Sequence, residues 1–154
     1  MVWRCHRIGG RLPNLRTQEK VYFVDPLIAR LPHLRDDRRR DLDDSRLTEQ
    51  QLGALLLRAA ADRGPNALLG ASTVMYERTP SATEVDFVGP DLGVAFESKY
   101  VDGPWRRVAQ TLRARHRGGI LATRAVLELE NRSGKDPVWA VPTGILGWLL
   151  RAPG

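Results

Sequence analysis

The feature that most constrains the fold of this 154-residue chain is a series of three strand-like runs between residues 72 and 100. Each run is rich in β-branched and aromatic residues, and Pro or Gly residues separate it from the next. The runs are "STVMYER" (72–78), "TEVDFVG" (83–89) and "LGVAFESKY" (92–100). Because turns this short cannot carry a crossover connection, the three strands must form an antiparallel meander.

Helical patterns lie on both sides of this meander. Apolar residues recur at helical spacing from Ser45 until a Gly-Pro pair at 64–65, and a second helix is predicted to begin at Asp102-Gly103-Pro104. The apolar stripe of the second helix consists of Trp105, Val108, Ala109 and Leu112. We expect Trp105, Val108 and Leu112 to be buried against the sheet, and Arg106, Arg107 and Arg113 to be exposed. The run "GGILATRAVLELE" that follows is predicted to be a strand, which after a crossover helix pairs in parallel with a neighbour. The order helix, three strands, helix, strand predicts an α/β fold with a mixed sheet between helices.

The N-terminal part of the chain is less regular. Residues 1–19 are predicted to be an irregular lead-in, and "KVYFVD" (20–25) a short buried strand. Asp25 followed by Pro26 is a typical helix start, because the aspartate accepts backbone N–H groups and proline loses nothing at the first helical position. The run of alternating charges at 35–46 is predicted to be a solvated loop. The domain itself is therefore expected to span residues 20–154.

Composition excludes several classes of protein. The single cysteine, Cys5, cannot form an internal disulfide or a cysteine zinc site. No segment reaches the roughly 18 unbroken apolar residues that a membrane helix needs, and the N-terminus lacks the apolar core of a signal peptide. We therefore expect a cytoplasmic protein without a membrane partner. The tail "VWAVPTGILGWLL" is predicted to be one more strand and an apolar terminal helix, which is either core or a surface for a partner.

The third strand of the meander ends on Glu97, Ser98 and Lys99. The chain has three lysines against twenty-one arginines, so a lysine is not what its residue usage would supply for a plain positive charge. An E-x-K by itself favours a surface ion pair at a strand end. If the second and third strands pair, however, Asp86 meets Glu97 across the sheet, with Val85 and Phe87 on the opposite face from Asp86. Two adjacent carboxylates repel each other unless a proton or cation lies with them, and hard oxygen ligands suit Mg²⁺ or Mn²⁺.

The net charge of +6 comes from one segment. Residues 103–127 contain six arginines and no acid, whereas the other eighteen basic residues are matched by all eighteen acids. The six are Arg106, Arg107, Arg113, Arg115, Arg117 and Arg124. This segment is either a solvated arginine-rich helix face or a patch that holds the negative charges of a ligand beside the E-x-K.

An acid followed after a turn by E-x-K on the next strand, within this order of elements, resembles the PD-(D/E)XK nuclease superfamily with its restriction-endonuclease-like fold. More specifically, "KVYFVDPLIARL", a helix with an early Glu, "EVDFV" and "FESK" in that order resemble the uncharacterised C-terminal domain of bacterial and archaeal AAA-type ATPases. The resemblance covers residues 20–150. Such a chain is then either a piece of a longer ATPase or a stand-alone relative, and no G-x-x-x-x-G-K-[ST] motif is present to bind ATP.

The resemblance assigns roles to individual residues. Asp86 and Glu97 match the metal-binding acids, together with the backbone carbonyl of Ser98, and Lys99 matches the motif lysine that orients water and offsets developing charge. Glu49 matches the acid on the first helix, although a Glu beside Thr48 is also explained by the helix dipole. Further candidates are Gln110 as an accessory residue and, for nucleic-acid binding, Arg106, Arg107, Arg113, Arg115 and Arg117.

The resemblance implies a Mg²⁺- or Mn²⁺-dependent nuclease-like domain that cuts or binds nucleic acid, with DNA as the expected ligand. Such a domain would bind the charged phosphate backbone with little sequence specificity. The alternative is a catalytically inactive module of the same fold that binds an ATPase partner or another copy of itself.

Overall fold

A computed structural model of the protein describes residues 2–9, 12–14, 16, 18–32, 43–61, 73–81, 83–89, 92–130 and 137–150. Its strands are β1 (Val2–Cys5), β2 (Arg7–Gly9), β3 (Leu12–Asn14), β4 (Lys20–Phe23), β5 (Met75–Arg78), β6 (Glu84–Val88), β7 (Phe96–Ser98), β8 (Gly119–Thr123), β9 (Glu128–Glu130) and β10 (Val138–Pro142). Its helices are a 3-10 helix (Pro26–Arg30), α1 (Asp44–Ala61), α2 (Ala109–His116) and α3 (Thr143–Leu149). The fold is mixed α/β, as predicted.

The strands form one large mixed sheet and one small ribbon. The large sheet has the order β3-β2-β5-β6-β7-β8-β10-β9, and β1 pairs with β4 in a separate antiparallel ribbon. The predicted meander is confirmed, because β6 is antiparallel to both β5 and β7. The predicted crossover is also confirmed: α2 connects β7 to β8, and these two strands are parallel.

The prediction differs from the structure at five places. The second helix, expected to begin at Asp102-Gly103-Pro104, begins at Ala109, where no side chain caps it. The strand expected to be buried at 20–25 is β4, of which Tyr22 is buried while Val21 is 60% exposed, because this strand lies in the ribbon outside the large sheet. Residues 1–19, expected to be irregular, contain β1, β2 and β3. The run 118–130, expected to be one strand, divides into β8 and β9, and β9 turns back to pair antiparallel with β10. Of the predicted charged loop at 35–46, residues 44–46 belong to α1, while 35–42 lie outside the described residues, as does the Gly-Pro pair at 64–65.

Two of the predicted helices begin at an aspartate cap. Asp25 accepts a hydrogen bond at 2.9 Å from the backbone N–H of Leu27, and the helix that follows is of the 3-10 type. Asp43 accepts from the backbone N–H groups of Ser45 and Arg46 at the start of α1. Local capping chemistry therefore fixes where these helices begin.

The sheet is covered by helices on both faces. One apolar cluster includes Leu52 and Leu56 of α1 and Leu146 of α3, and the other includes Trp105 and Leu112 of the α2 region. Neighbouring strand residues alternate between the two clusters, as strand geometry requires. Ala95 and Leu121 lie in the second cluster, and their neighbours Phe96 and Ala122 lie in the first.

Strand β6 breaks this alternation at Asp86. Met75 pairs with Val88 and Glu77 pairs with Val85, so a step of two residues on β5 faces a step of three on β6. This β-bulge places Val85 and Val88 in the α2-side cluster and Phe87 in the α1-side cluster. The expectation that Val85 and Phe87 share a face is therefore wrong. The extra residue thus changes the directions of the β6 side chains around Asp86, the candidate acid.

A tight connection brings β8 alongside β7. Arg117, Gly118 and Gly119 have positive φ angles of 56°, 115° and 152°. A Cβ atom at position 119 would lie 2.5 Å from the carbonyl oxygen of Ala95, which only glycine avoids. Within the described residues, no helix combines the length and apolarity needed to cross a membrane.

Candidate functional site

Asp86 and Glu97 lie next to each other on adjacent antiparallel strands. Phe87 is paired with Phe96, which sets Asp86 opposite Glu97. The backbone N–H of Asp86 donates to Glu97 Oε2 at 3.3 Å, and the backbone N–H of Ser98 donates to Asp86 Oδ2 at 2.8 Å. Both residues are buried, with 7% and 4% of their surface exposed. The predicted adjacency of the two acids is confirmed.

Lys99 lies against Glu97. Its Nζ atom is 3.0 Å from Glu97 Oε1, and 41% of its side chain is exposed. Burial by itself would lower the pKa of Lys99, but the carboxylate of Glu97 outweighs this effect and raises the pKa above its usual value. Lys99 is therefore charged and faces solvent from the side of the acid pair.

A second lysine, Lys20, reaches the same acids from the β1–β4 ribbon. Its Nζ atom is 2.8 Å from Glu49 Oε1, 2.5 Å from Glu84 Oε1 and 3.3 Å from Asp86 Oδ1. Burial would lower the pKa of Lys20, but the nearby carboxylates, Asp86 first, raise it. Sequence reasoning missed Lys20, although the rarity of lysine that distinguished Lys99 applied equally to it.

Glu49 of α1 is held by two residues of the β1–β4 ribbon. Its Oε1 accepts a hydrogen bond from the Tyr22 hydroxyl at 2.5 Å as well as the contact with Lys20. Lys20 and Tyr22 are two residues apart on β4, so both project from the same face of that strand toward α1. Burial and the nearby Glu49 carboxylate raise the pKa of Tyr22 well above its usual range, which keeps the hydroxyl protonated and able to donate. The ribbon thus holds the glutamate of the first helix in place.

The acids outnumber the cations in this group. Four carboxylates (Glu49, Glu84, Asp86, Glu97) meet two ammonium groups (Lys20, Lys99), which gives a formal charge of −2 when all are ionised. Burial and then the neighbouring Asp86 raise the pKa of Glu97 to about 7. Burial and then Glu49 raise the pKa of Asp86. The group, hereafter the acid cluster, lacks two positive charges, which either two protons or one divalent cation can supply.

The chemistry of the acid cluster suits a hard divalent ion, but its present geometry does not close around one. No three His, Cys, Asp or Glu side chains among the described residues converge on a point where they could hold a metal ion. The carboxylates of Asp86 and Glu97 lie next to each other, and the backbone N–H of Ser98 donates to Asp86. The buried side-chain hydroxyl of Ser98 has no hydrogen-bond partner. A divalent ion would thus rely on these carboxylates together with water.

The arginine-rich segment is largely neutralised by acids from elsewhere in the chain. Arg113, predicted to be exposed, is 13% exposed and lies 2.7 Å from Glu130, which is 6% exposed. The other pairs are Arg106 with Glu128, Arg115 with Glu77 and Arg124 with Asp102. The predicted burial of Trp105 and Leu112 is confirmed, Val108 is only half-buried, and Arg106 and Arg107 are exposed as expected. The expectation for Arg113 is wrong, because Glu130 on β9 comes beside α2 only in the folded chain.

Two remaining candidates lie at the surface. Gln110 is exposed on α2, and within the described residues no hydrogen bond links it to Asp86, Glu97 or Lys99. Arg117 is exposed in the turn after α2. The structure thus brings together Glu49, Asp86, Glu97, Ser98 and Lys99, and it adds Lys20, Tyr22 and Glu84 to them.

Comparisons with known proteins do not indicate a function for this chain. No family model, no curated protein and no solved structure matches the chain. Function must therefore be inferred from the side chains around Asp86 and Glu97.

Proposed function

We propose that this chain is a metal-dependent nuclease-like domain with a restriction-endonuclease-like fold, related to the PD-(D/E)XK superfamily. The observation that carries the proposal is the buried pair of Asp86 and Glu97, two carboxylates held side by side with Lys99 against one of them. Buried acids with raised pKa values are costly to a fold, and they cluster at functional sites for that reason.

The order of elements supports the same proposal. An antiparallel meander is followed by a helix and by a strand parallel to the last strand of the meander. The acid lies at a bulge on the middle strand, and E-x-K lies at the end of the next. Bulges next to active sites commonly re-aim a side chain.

Asp86, Glu97 and the backbone carbonyl of Ser98 would hold a Mg²⁺ or Mn²⁺ ion, with Glu49 as a further ligand. When bound, such an ion polarises a phosphodiester and acidifies a water molecule. The chain's own groups orient the ligands: the backbone N–H of Ser98 fixes Asp86 Oδ2, and the backbone N–H of Asp86 fixes Glu97 Oε2. The ammonium of Lys99 would hold a water molecule or a phosphate oxygen on the solvent side of Glu97.

The first test is cleavage. Supercoiled DNA, single-stranded DNA and RNA are incubated with the protein and millimolar Mg²⁺ or Mn²⁺, with chelator as one control and Lys99→Ala as another. We expect metal-dependent cleavage, on DNA first, that Lys99→Ala and Asp86→Asn both abolish. Cleavage that survives both substitutions would place the activity elsewhere or in a contaminant.

The second test is binding without turnover. A ligand at a hundred times its dissociation constant adds about 2.7 kcal/mol to the native state, enough to raise the melting temperature by several degrees. Mn²⁺ should give this shift in the wild type and not in Asp86→Asn or Glu97→Gln. A wild-type melting curve that Mn²⁺ leaves unchanged would contradict the metal-dependent proposal.

A second candidate is a catalytically inactive module of the same fold that binds an AAA-type ATPase or another copy of itself. The neutralised arginines favour it, because they weaken the case for a polyanion ligand. It is also favoured by α3, where Trp148 is 72% exposed while Leu146 is buried. Under this alternative the wild type shows no cleavage, and Trp148→Ala should disrupt a complex seen by sedimentation without changing Mn²⁺ binding.

A further inference from the structure

Lys20 makes three contacts with three carboxylates from two different elements. Glu49 comes from α1, and Glu84 and Asp86 come from β6. An ammonium group has three N–H donors, so each donor finds one acid. Lys20 is thus the internal cation of the acid cluster, and it lies on β4 in the ribbon outside the large sheet.

Every oxygen of the central acid pair already has a donor. Asp86 Oδ1 lies 3.3 Å from Lys20 and Asp86 Oδ2 accepts from the backbone N–H of Ser98. Glu97 Oε1 lies 3.0 Å from Lys99 and Glu97 Oε2 accepts from the backbone N–H of Asp86. A cation that binds this pair must share or displace these donors. The two backbone donors are fixed by the sheet, whereas the two lysines are side chains that can move.

We propose that Lys20 sets the divalent-cation affinity of the site as an internal competitor: its ammonium and a metal ion bind Asp86 and Glu49 through the same two oxygens. The inference rests on the proposed function, since it concerns the same acids. Of the three contacts that Lys20 makes, the contact with Asp86 is the longest. A metal ion therefore displaces this contact first, while Glu49 and Glu84 still hold the ammonium.

The physical basis is mutual exclusion between like charges. An ammonium and a divalent cation on neighbouring carboxylate oxygens repel each other at short range in a partly buried site. Because coupling between two binding events is reciprocal, the Lys20 contact weakens metal binding by the same factor by which a bound metal ion weakens the Lys20 contact. Lys20 is therefore a positioning residue whose removal is expected to improve metal binding, the opposite of what the loss of a ligand would do.

The experiment measures the Mn²⁺ dissociation constant by calorimetry, with the free-Mn²⁺ spin-resonance signal as a second readout. Lys20→Met keeps most of the side-chain stem and removes the charge, and it should bind Mn²⁺ about ten to a hundred times more tightly than the wild type. Lys20→Arg keeps the charge and should stay close to the wild-type affinity. Circular dichroism checks that each variant is folded.

A charge-matched variant separates competition from net charge and covers the case in which Lys20→Met fails to fold. Lys20→Met combined with Glu84→Gln removes one cation and one acid, so three carboxylates and one ammonium remain and the formal charge of the cluster is again −2. If Lys20 competes directly, this double variant also binds Mn²⁺ more tightly than the wild type.

The outcomes distinguish this inference from the proposed function. Wild-type binding with no gain in the variants would overturn the role of Lys20 and leave the proposed function intact. Binding by the variants but not by the wild type would support Lys20 as a permanent occupant and favour the inactive module. Absence of binding in all of them would overturn the inference together with the metal site.

Discussion

The acid cluster and the arginine-bearing helix α2 balance their charges in opposite ways. Around α2, Arg113 lies against Glu130 and Arg115 against Glu77, so the cations find acids from distant strands. In the acid cluster, by contrast, two lysines serve four carboxylates, and the pKa of Glu97 rises to about 7. The net charge of a sequence segment therefore does not show where unbalanced charge lies in the folded protein. The arginine segment was prominent in the sequence, yet the unbalanced group is the acidic one.

The largest expected effect comes from breaking the balance at α2. Glu130→Gln leaves the 13%-exposed guanidinium of Arg113 without its opposite charge, and it should destabilise the fold by about 3–5 kcal/mol in urea unfolding. Glu128→Gln, on the same strand but in an exposed pair, is the matched control. A loss below about 1 kcal/mol for Glu130→Gln would mean that water solvates the pair and that the two regions do not differ as described.

An intermediate effect concerns Glu97. Its pKa of about 7 in the fold lies above its usual value of 4.5, so the folded protein holds the proton more tightly than the unfolded chain. The contribution to stability is then fully present below pH 4.5 and is lost as the pH rises through about 7. Glu97→Gln, which cannot ionise, should match the wild type near pH 4.5 and exceed it at pH 8 by about 3 kcal/mol.

The measurement for Glu97 is urea unfolding from pH 4 to pH 8 in chelator, which removes divalent cations from both proteins. Glu84→Gln is a useful comparison, because it removes a carboxylate of the same cluster from a more exposed position. Parallel pH profiles for the wild type and Glu97→Gln would show that the acid cluster is not short of positive charge at neutral pH.

The smallest effect is expected at the surface of the α2 region. Arg106 and Glu128 have side chains that are 60% and 49% exposed, so Arg106→Gln should cost less than about 1 kcal/mol. High salt should therefore change the contribution of this pair to the free energy of unfolding very little.

A separate test concerns nucleic-acid binding by Arg107, an exposed arginine next to Arg106. If Arg107→Gln weakens binding to single-stranded DNA and reduces the salt dependence of that binding, the nucleic-acid proposal gains support.

The sequence by itself determined the elements that depend on neighbouring residues. Alternating apolar residues and turn residues located β5, β6 and β7 and required their antiparallel order. Asp25 marked a helix start, and the apolar stripe through Trp105 marked a buried face, and the structure contains both. The adjacency of Asp86 and Glu97 also followed, because a short turn between two strands leaves little freedom of pairing.

Only the tertiary structure decided which charges meet. Lys20 contacts Glu49 and Asp86, which are 29 and 66 residues away in the chain, because the β1–β4 ribbon docks beside α1 and β6. The bulge at Asp86 likewise depends on the register between β5 and β6, and strand periodicity carries no sign of it. Capping, turns and periodicity act over a few residues and can be derived from sequence. Ion pairs between distant elements depend on how those elements dock, so the balance of charge at Asp86, Glu97 and Arg113 is a property of the fold.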